Sequence, residues 1–301
     1  MDSSGGAGPP PAPPELSTIK VGLLPTAESA PVFLALTKNY FQEEGLTVQP
    51  MIITGAGAAA PQVESGQLDL AQTDFLTVMR RNAAQETFKV VAGLYRAAPG
   101  SYAVVVDAKS KIRTAADLRR KTVAVPNLMV LQGLALTGML ERAGLELDDV
   151  KQREKPYPEM LNALRSGQVD AAVLAEPFVT AARQSRRTRV LEDPMSGEFA
   201  NLYTAGMMAS DRWIQENPRT LAAFQRGLAK AQRLITSDPR EVGEVLPRYT
   251  KVSKAVAAGL PPGVYPARLD LAQVRRIGDL ALAYGWVRSP VKLGDVVAKG
   301  G

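Results

Sequence analysis

The chain has 301 residues, 46% hydrophobic and 22% charged, with 36 Lys and Arg against 30 Asp and Glu and a net charge of +6. That suits one large domain or two ordinary ones with a full core. It contains no histidine and no cysteine, which excludes Ser-His-Asp and Cys-His catalysis, disulfides, thiolate redox chemistry and zinc sites with nitrogen or sulphur ligands.

No apolar run reaches the roughly 18 residues of a membrane span. The densest basic stretch, Arg183–Arg189, holds four arginines and no aromatic residue. It reads as a solvated helix end rather than a nucleic-acid footprint.

The chain opens on MDSSGGAGPPPAPP, in which eight of fourteen residues are Gly or Pro. Residues 1–16 are expected to form a disordered tether. Such a leader is what remains when a secretion signal is removed, and in bacterial lipoproteins a lipid-bearing Cys precedes it. A plain tail on a cytoplasmic protein is the alternative.

IKVGLLP is the first expected strand. Ser29-Ala30-Pro31 starts a helix, with Ser29 as cap. Phe33, Leu36, Tyr40 and Phe41 give that helix one apolar face, and Gly45 ends it. TVQPMII is the next strand, and Gly55-Ala56-Gly57 opens the next helix. SYAVVVDA (101–108) is a long strand. KTVAV is another, followed by a helix over 131–143, a short helix over 159–165 and the strand QVDAAVL. NLYTAGMMAS (201–210) is a further apolar run. The remainder is helical, with starts at Asn217-Pro218 and Asp238-Pro239 and a helix over 269–284.

A repeat organises these elements. ESGQLDLAQTD (64–74) and RSGQVDAAVLAE (165–176) share a Ser-Gly-Gln-aliphatic-Asp core followed by a short strand and an acid, 101 residues apart. Pro25 and Pro126 close strands at the same offset, and Gly45-Leu46 and Gly144-Leu145 end helical stretches at nearly that offset. The period is too long for a solenoid and fits two α/β lobes. The apolar runs at both ends of the second unit suggest two crossovers. The expected division is residues 17–104 and 206–301 for one lobe and 105–205 for the other. The fold class is α/β, each lobe a doubly wound, mostly parallel sheet flanked by helices, with the crossover strands as hinge.

Ligands of open α/β sheets bind beyond the carboxyl ends of strands, where helix N-termini offer free N–H groups. The loops at Pro25–Ala30, Thr54–Ala58, Pro126–Val130 and Glu176–Phe178 meet that description, as does Asp74-Phe75. Glu28, Asp74 and Glu176 bring carboxylates there. Phe75, Tyr102, Tyr157, Phe178 and Tyr203 offer flat apolar surface. Gly55 permits close approach, and Asn127 and Met129 lie on a bulky loop. No Arg or Lys falls in these loops, so three acids favour an amine-bearing or heteroaromatic ligand over an anion. The alternative makes Asp74 and Glu176 helix caps, Glu28 a loop acid, and Phe75 and Phe178 core residues. Trp213 and Trp286 read as packing residues.

The segments APVFLALTKNYFQEEGLTV, SGQLDLAQTD, DLRRKTVAVPN, LERAGLE and SGQVDAAVLAEPF resemble the periplasmic substrate-binding proteins of ABC importers. Within them the chain is similar to the branch serving nitrate, sulphonates, taurine and thiamine-pyrimidine precursors. The likeness covers nearly all of residues 19–290. It implies a type II two-lobed fold, a secreted or lipid-anchored location on the outer face of the cell membrane, and delivery of a solute to a permease and its ATPase by a monomer. Its ligand contacts carry over to Thr26, Glu28, Gly55, Ala56, Asp74, Asn127 and Glu176. Where sulphonate and nitrate binders tend to have small hydroxyl residues, this chain has Asn127-Leu128-Met129-Val130. A pyrimidine-like or amine-bearing solute is therefore expected, with an alkyl sulphonate as the other option. No catalytic residue, metal or cofactor is expected. Desulphinases, yeast-type pyrimidine synthases and the porphobilinogen-polymerising enzyme share the scaffold but need the Cys or His this chain lacks. An enzyme using a cleft carboxylate as general base is the alternative. A LysR-type regulator is disfavoured, because only about 18 Pro/Gly-rich residues precede the first strand, too few for a DNA-binding helix-turn-helix.

Overall fold

The computed structural model describes residues 12–299, whose ten strands form two five-stranded sheets. The first half supplies β1 (Thr18–Leu23), β2 (Thr47–Ile52), β3 (Leu70–Thr73) and β4 (Phe88–Arg96). The middle of the chain supplies β5 (Tyr102–Asp107), β6 (Thr122–Val125), β7 (Lys151–Glu154), β8 (Ala171–Ala175) and β9 (Thr188–Glu192), and β10 (Tyr203–Ser210) follows. The first sheet runs β2-β1-β3-β10-β4 and the second β7-β6-β8-β5-β9. In each, four strands point the same way and one, β10 in the first and β5 in the second, runs antiparallel to both its neighbours. The two sheets have the same winding, as the repeat implies.

The repeat appears in the register. Val21 lies opposite Leu70, and Val123 lies opposite Ala171. Gly66 and Gly167 turn into the third strand of each unit with φ of 77° and 70°. Glycine occupies this left-handed region without steric cost, which explains the Ser-Gly-Gln signature.

Each sheet borrows one strand across the boundary. β5 follows the first lobe's strands but pairs with β8 and β9, and β10 returns to pair with β3 and β4. The connections are residues 97–101 and 193–202. The expected boundary at 104/105 falls inside β5, because sheet pairing continues to the strand's first residue. β3, β5 and β8 are buried along almost their whole length, so they read as continuous apolar runs. Along β5 the side chains alternate: Ala103 and Val105 join the large core, while Val104 and Val106 pack with Leu136 and Leu140 on the other face.

The helices are α1 (Ala30–Thr37), α2 (Ala56–Glu64), α3 (Phe75–Ala83), α4 (Leu131–Arg142), α5 (Tyr157–Arg165) and α6 (Phe178–Gln184), then α7 (Asp211–Glu216), α8 (Pro218–Ser237), α9 (Arg240–Val245), α10 (Lys254–Ala258), α11 (Leu271–Ala283) and α12 (Leu293–Val296). α8 buries Leu221, Phe224, Leu228, Ala231 and Ile235, the expected face. The stretch Arg183–Arg189 spans the end of α6, a turn and the start of β9 rather than a helix end alone. Trp286 lies against Gly133 of α4, and Trp213 donates to Asp69 Oδ1 at 2.8 Å.

Two local expectations change. Ser29 flanks α1 but makes no side-chain cap; its hydroxyl shares its one proton between Leu24 O at 2.6 Å and Gln72 Oε1 at 2.5 Å. The first eleven residues of the expected tether lie outside the described residues. Its end is held: Glu15 accepts from the backbone N–H of Arg219 and Thr220 at 3.1 and 2.7 Å, and Leu16 donates to Thr220 Oγ1 at 3.0 Å. The carboxylate occupies the free N–H groups that open α8. Burial raises the Glu15 carboxyl, but the bonds from Thr220 and Arg219 outweigh it and bring it down to about 2. Its contribution to stability is therefore complete above the usual carboxyl value of 4.5 and fades as pH falls towards about 2. Glu15→Ala is expected to lower stability by about 1 kcal/mol at neutral pH and by less at pH near 3, as read by denaturant unfolding at both pH values.

Candidate functional site

The loops that end β1, β3 and β6 meet between the lobes around a cavity of about 20 Å³. It is lined by Leu24, Glu28, Gln72, Thr73, Asp74, Pro126, Asn127, Val130, Gln132, Tyr157 and Thr204. Of the expected ligand residues, Glu28, Asp74, Asn127 and Tyr157 come together there. None of the lining residues is Lys or Arg.

Glu28 stands on a one-turn 3-10 helix (Ala27–Ser29) after β1 and is buried. Its Oε1 accepts from Tyr102 Oη and from Thr204 Oγ1, the latter at 2.8 Å. Its Oε2 accepts from Gln72 Nε2 at 3.1 Å and Thr26 Oγ1 at 3.4 Å. Gln72 is oriented in turn by Leu24 N–H and the Ser29 hydroxyl, both donating to its Oε1. Tyr102 begins β5 and Thr204 lies at the start of β10, so one carboxyl ties both crossovers to the loop after β1. Burial pushes Glu28 up to about 7 against the pull of the Tyr102, Thr204 and Thr26 hydroxyls, with Asp74 adding a small push in the same direction. A carboxyl of that proton affinity suits a general base. Here, though, its two oxygens already face four hydrogen-bond partners, three of them hydroxyls that can either donate or accept, which fills its capacity whether or not it holds a proton. Glu28 acts as a structural knot that also borders the cavity.

Asp74 is the N-cap of α3. Its Oδ1 accepts from Thr77 N–H at 3.0 Å, and its Oδ2 accepts from Thr77 Oγ1 at 2.5 Å. Oδ1 also accepts from Leu131 N–H at 3.2 Å, across the cleft at the start of α4. Burial holds the Asp74 carboxyl above its ordinary value despite these donors. Oδ2 keeps room for a further donor. Glu176, its counterpart in the repeat, makes equivalent bonds to α6 from one residue before the N-cap Pro177, accepting from Thr180 N–H at 3.0 Å and Thr180 Oγ1 at 2.9 Å. Glu176 is buried beside the cleft but does not line the cavity; its carbonyl accepts from Ala27 N–H at 2.9 Å.

The other expected residues lie around these. Thr26 is buried, and its carbonyl accepts from Tyr249 Oη at 2.9 Å. Phe75 is wholly in the core, its ring 5.2 Å from that of Tyr203, because it sits on the inner face of α3. Tyr102 is committed to Glu28. Tyr157 stacks on Phe178 with ring centroids 6.0 Å apart, and only Tyr157 reaches the cavity. Met129 is exposed with φ of 60°, and its carbonyl accepts from Arg80 Nη1 at 3.1 Å. Gly55 precedes α2, whose first residue is Ala56. A Cβ at Gly55 would lie 1.9 Å from Asn127 Oδ1, so glycine is what lets the two lobes close there.

Among the described residues, none bonds to the side chains of Asn127, Gln132 or Tyr157, the uncommitted polar groups of the cavity. Gln72, Gln132 and Thr204 line the cavity in addition to the residues expected there. Their signal was a polar residue inside or beside an apolar run: LAQT, VLQGL and LYTAG. Buried polar groups need partners, so each such residue marks a network or a site.

A family model described as "NMT1/THI5 like" matches residues 26–242. The chain is 27% identical over 253 residues to a nitrate import ATP-binding protein of Synechococcus elongatus, covering 77% of this chain and 38% of that protein. It thus spans well under half of that relative. It is 24% identical over 236 residues to the formylaminopyrimidine-binding protein of Halalkalibacterium halodurans, covering 77% of this chain and 70% of that one. In fold it is similar to the alkanesulfonate-binding protein of Xanthomonas axonopodis pv. citri bound to MOPS, with a TM-score of 0.78, 18% identity and 94% and 99% of the two chains covered.

Folded Glu28 keeps its proton up to about pH 7, whereas an unfolded Glu loses it near 4.5. Between those values the native state binds more protons, so stability falls as pH rises. Asp74 and Glu176, also raised by burial, act in the same sense. Glu28→Gln keeps the shape and is expected to flatten this slope between pH 5 and 7. Thermal unfolding across that range reads it, and an unchanged slope would mean Glu28 is ionised in the native state.

Proposed function

We propose that this chain, which belongs to the NMT1/THI5-like family, is an extracytoplasmic solute-binding protein that clamps a small organic molecule between its lobes. It hands that molecule to an importer built of a permease and an ATPase, and a lipid on the precursor's leader would keep it at the membrane. The names of its relatives support the importer reading, since one is a nitrate import protein and another a formylaminopyrimidine-binding protein. Among the described residues no helix is long and apolar enough to cross a membrane.

The observation that carries the ligand class is the cavity lining. It offers Asp74, Asn127, Gln132 and Tyr157 as polar groups, with Glu28 behind them and no basic side chain. An oxyanion brought against two buried carboxyls would lose its hydration without a countercharge. A flat, neutral or amine-bearing heterocycle fits better: its N–H groups meet Asp74, its ring nitrogens meet Asn127 and Gln132, and its face meets Tyr157. A site for an organic ligand usually holds 300 Å³ or more, whereas about 20 Å³ accommodates one water. The lobes must therefore part for entry, breaking the Leu131–Asp74 and Arg80–Met129 bonds and turning about the crossovers.

Calorimetry and native mass spectrometry with aminopyrimidines, nitrate and short alkanesulfonates test this. One aminopyrimidine-type ligand per chain is expected. Asp74→Asn keeps a capping oxygen and should weaken binding about ten-fold or more, as loss of a charged hydrogen-bond partner does. Tight nitrate or sulphonate binding would sink the ligand class, and turnover of the bound compound would sink the binding-protein reading.

A further inference from the structure

The basic stretch that the cleft does not use lies at the opposite end of the second sheet. β5 runs from Tyr102, beside the cavity, to Asp107 at the far end. There it pairs with β9, Val106 opposite Arg189 and Asp107 opposite Thr188. Ala108 N–H donates to Arg187 O at 2.9 Å, which lays loop 108–113 beside turn 185–187. Arg189 Nη2 donates to Ile112 O at 2.5 Å and pins the two together. The result gathers Lys109, Lys111, Arg113, Arg186 and Arg187, all exposed, on two adjacent turns. Among the described residues none of the five is in an ion pair. The neighbouring acids are spent on backbone: Asp107 accepts from Lys109 N–H, and Asp117 accepts from Arg113 and Thr114 N–H. Arg186 has φ of 52°, a conformation that bulky side chains rarely adopt. Arg183 is set apart, its guanidinium beside Gly100 near the crossover.

We propose that this basic tip docks on an anionic phospholipid surface, orienting the second lobe on the membrane. The proposal uses the extracytoplasmic location given above but not the ligand. Long, flexible cations on exposed turns match mobile headgroups, which need no fixed geometry, and each cation near such a surface adds attraction. Nucleic acid is the weaker partner, because the tip has no aromatic residue on which bases could stack.

Co-sedimentation of the full chain with vesicles tests it. One set is phosphatidylcholine alone and the other carries about 30% phosphatidylglycerol. The chain is expected to partition onto the anionic vesicles only, and to be released at about 0.5 M salt, where screening is short-ranged. Lys109→Gln, Lys111→Gln, Arg186→Gly and Arg187→Gln together should reduce that partitioning about ten-fold or more, with the thermal transition kept, since Arg186→Gly relaxes its turn. A control losing four charges elsewhere (Arg233→Gln, Arg248→Gln, Lys251→Gln and Lys254→Gln) should retain most of it. Equal loss in both variants, no preference for anionic vesicles, or release from them by duplex DNA or an acidic polypeptide at equal charge would overturn the proposal. Unchanged ligand binding in the tip variant keeps this result separate from the clamp itself.

Discussion

A single carboxyl, removed from water between the lobes, sets the terms for the rest of the molecule. Burying Glu28 unpartnered would cost several kcal/mol. Four hydrogen-bond partners offset that cost, and they come from the loop after β1, from β3, from β5 and from β10. The two crossovers therefore cannot drift independently of the first lobe's strand ends. This gives the hinge a fixed reference while leaving the contacts that close the cleft, farther out, few and separable.

Asp74 and Glu176 show how duplication distributes work. Both accept bonds from the first turn of the helix after the third strand of their unit, and both use a threonine just inside that helix. These bonds satisfy N–H groups that would otherwise be orphaned. Asp74 alone also receives an N–H from the opposite lobe and faces the cavity. One copy is thus structural and the other is both structural and part of the clamp. A carboxylate already held by its helix keeps its position without a ligand, which limits the ordering cost of binding.

The charge of the chain is partitioned rather than uniform. The net balance is positive, yet the cavity lining carries only acids among its ionisable groups apart from Tyr157. Five exposed cations, none in an ion pair among the described residues, gather at the distal end of the second sheet. Net charge alone therefore misdirects: it suggests an anion binder, while the site's own groups favour donors.

The sequence by itself determined the repeat, the lobe winding, the buried strands and the three cleft acids, because left-handed glycines, strand-closing prolines and apolar runs act locally. The edge strand β7, KQRE, was hidden by its polar exposed composition, since no apolar alternation marks it. Only the tertiary structure decided which acids line the cavity, Glu28 and Asp74 but not Glu176, and which of them keeps an oxygen free for a further donor. Glu28 is saturated mainly by partners 44 to 176 positions away and Glu176 by its own helix, and Phe75 went to the core. Gln72, Gln132 and Thr204 entered the site because two lobes close on them. Burial and hydrogen-bond saturation depend on contacts between distant segments, and no local pattern of residues encodes those.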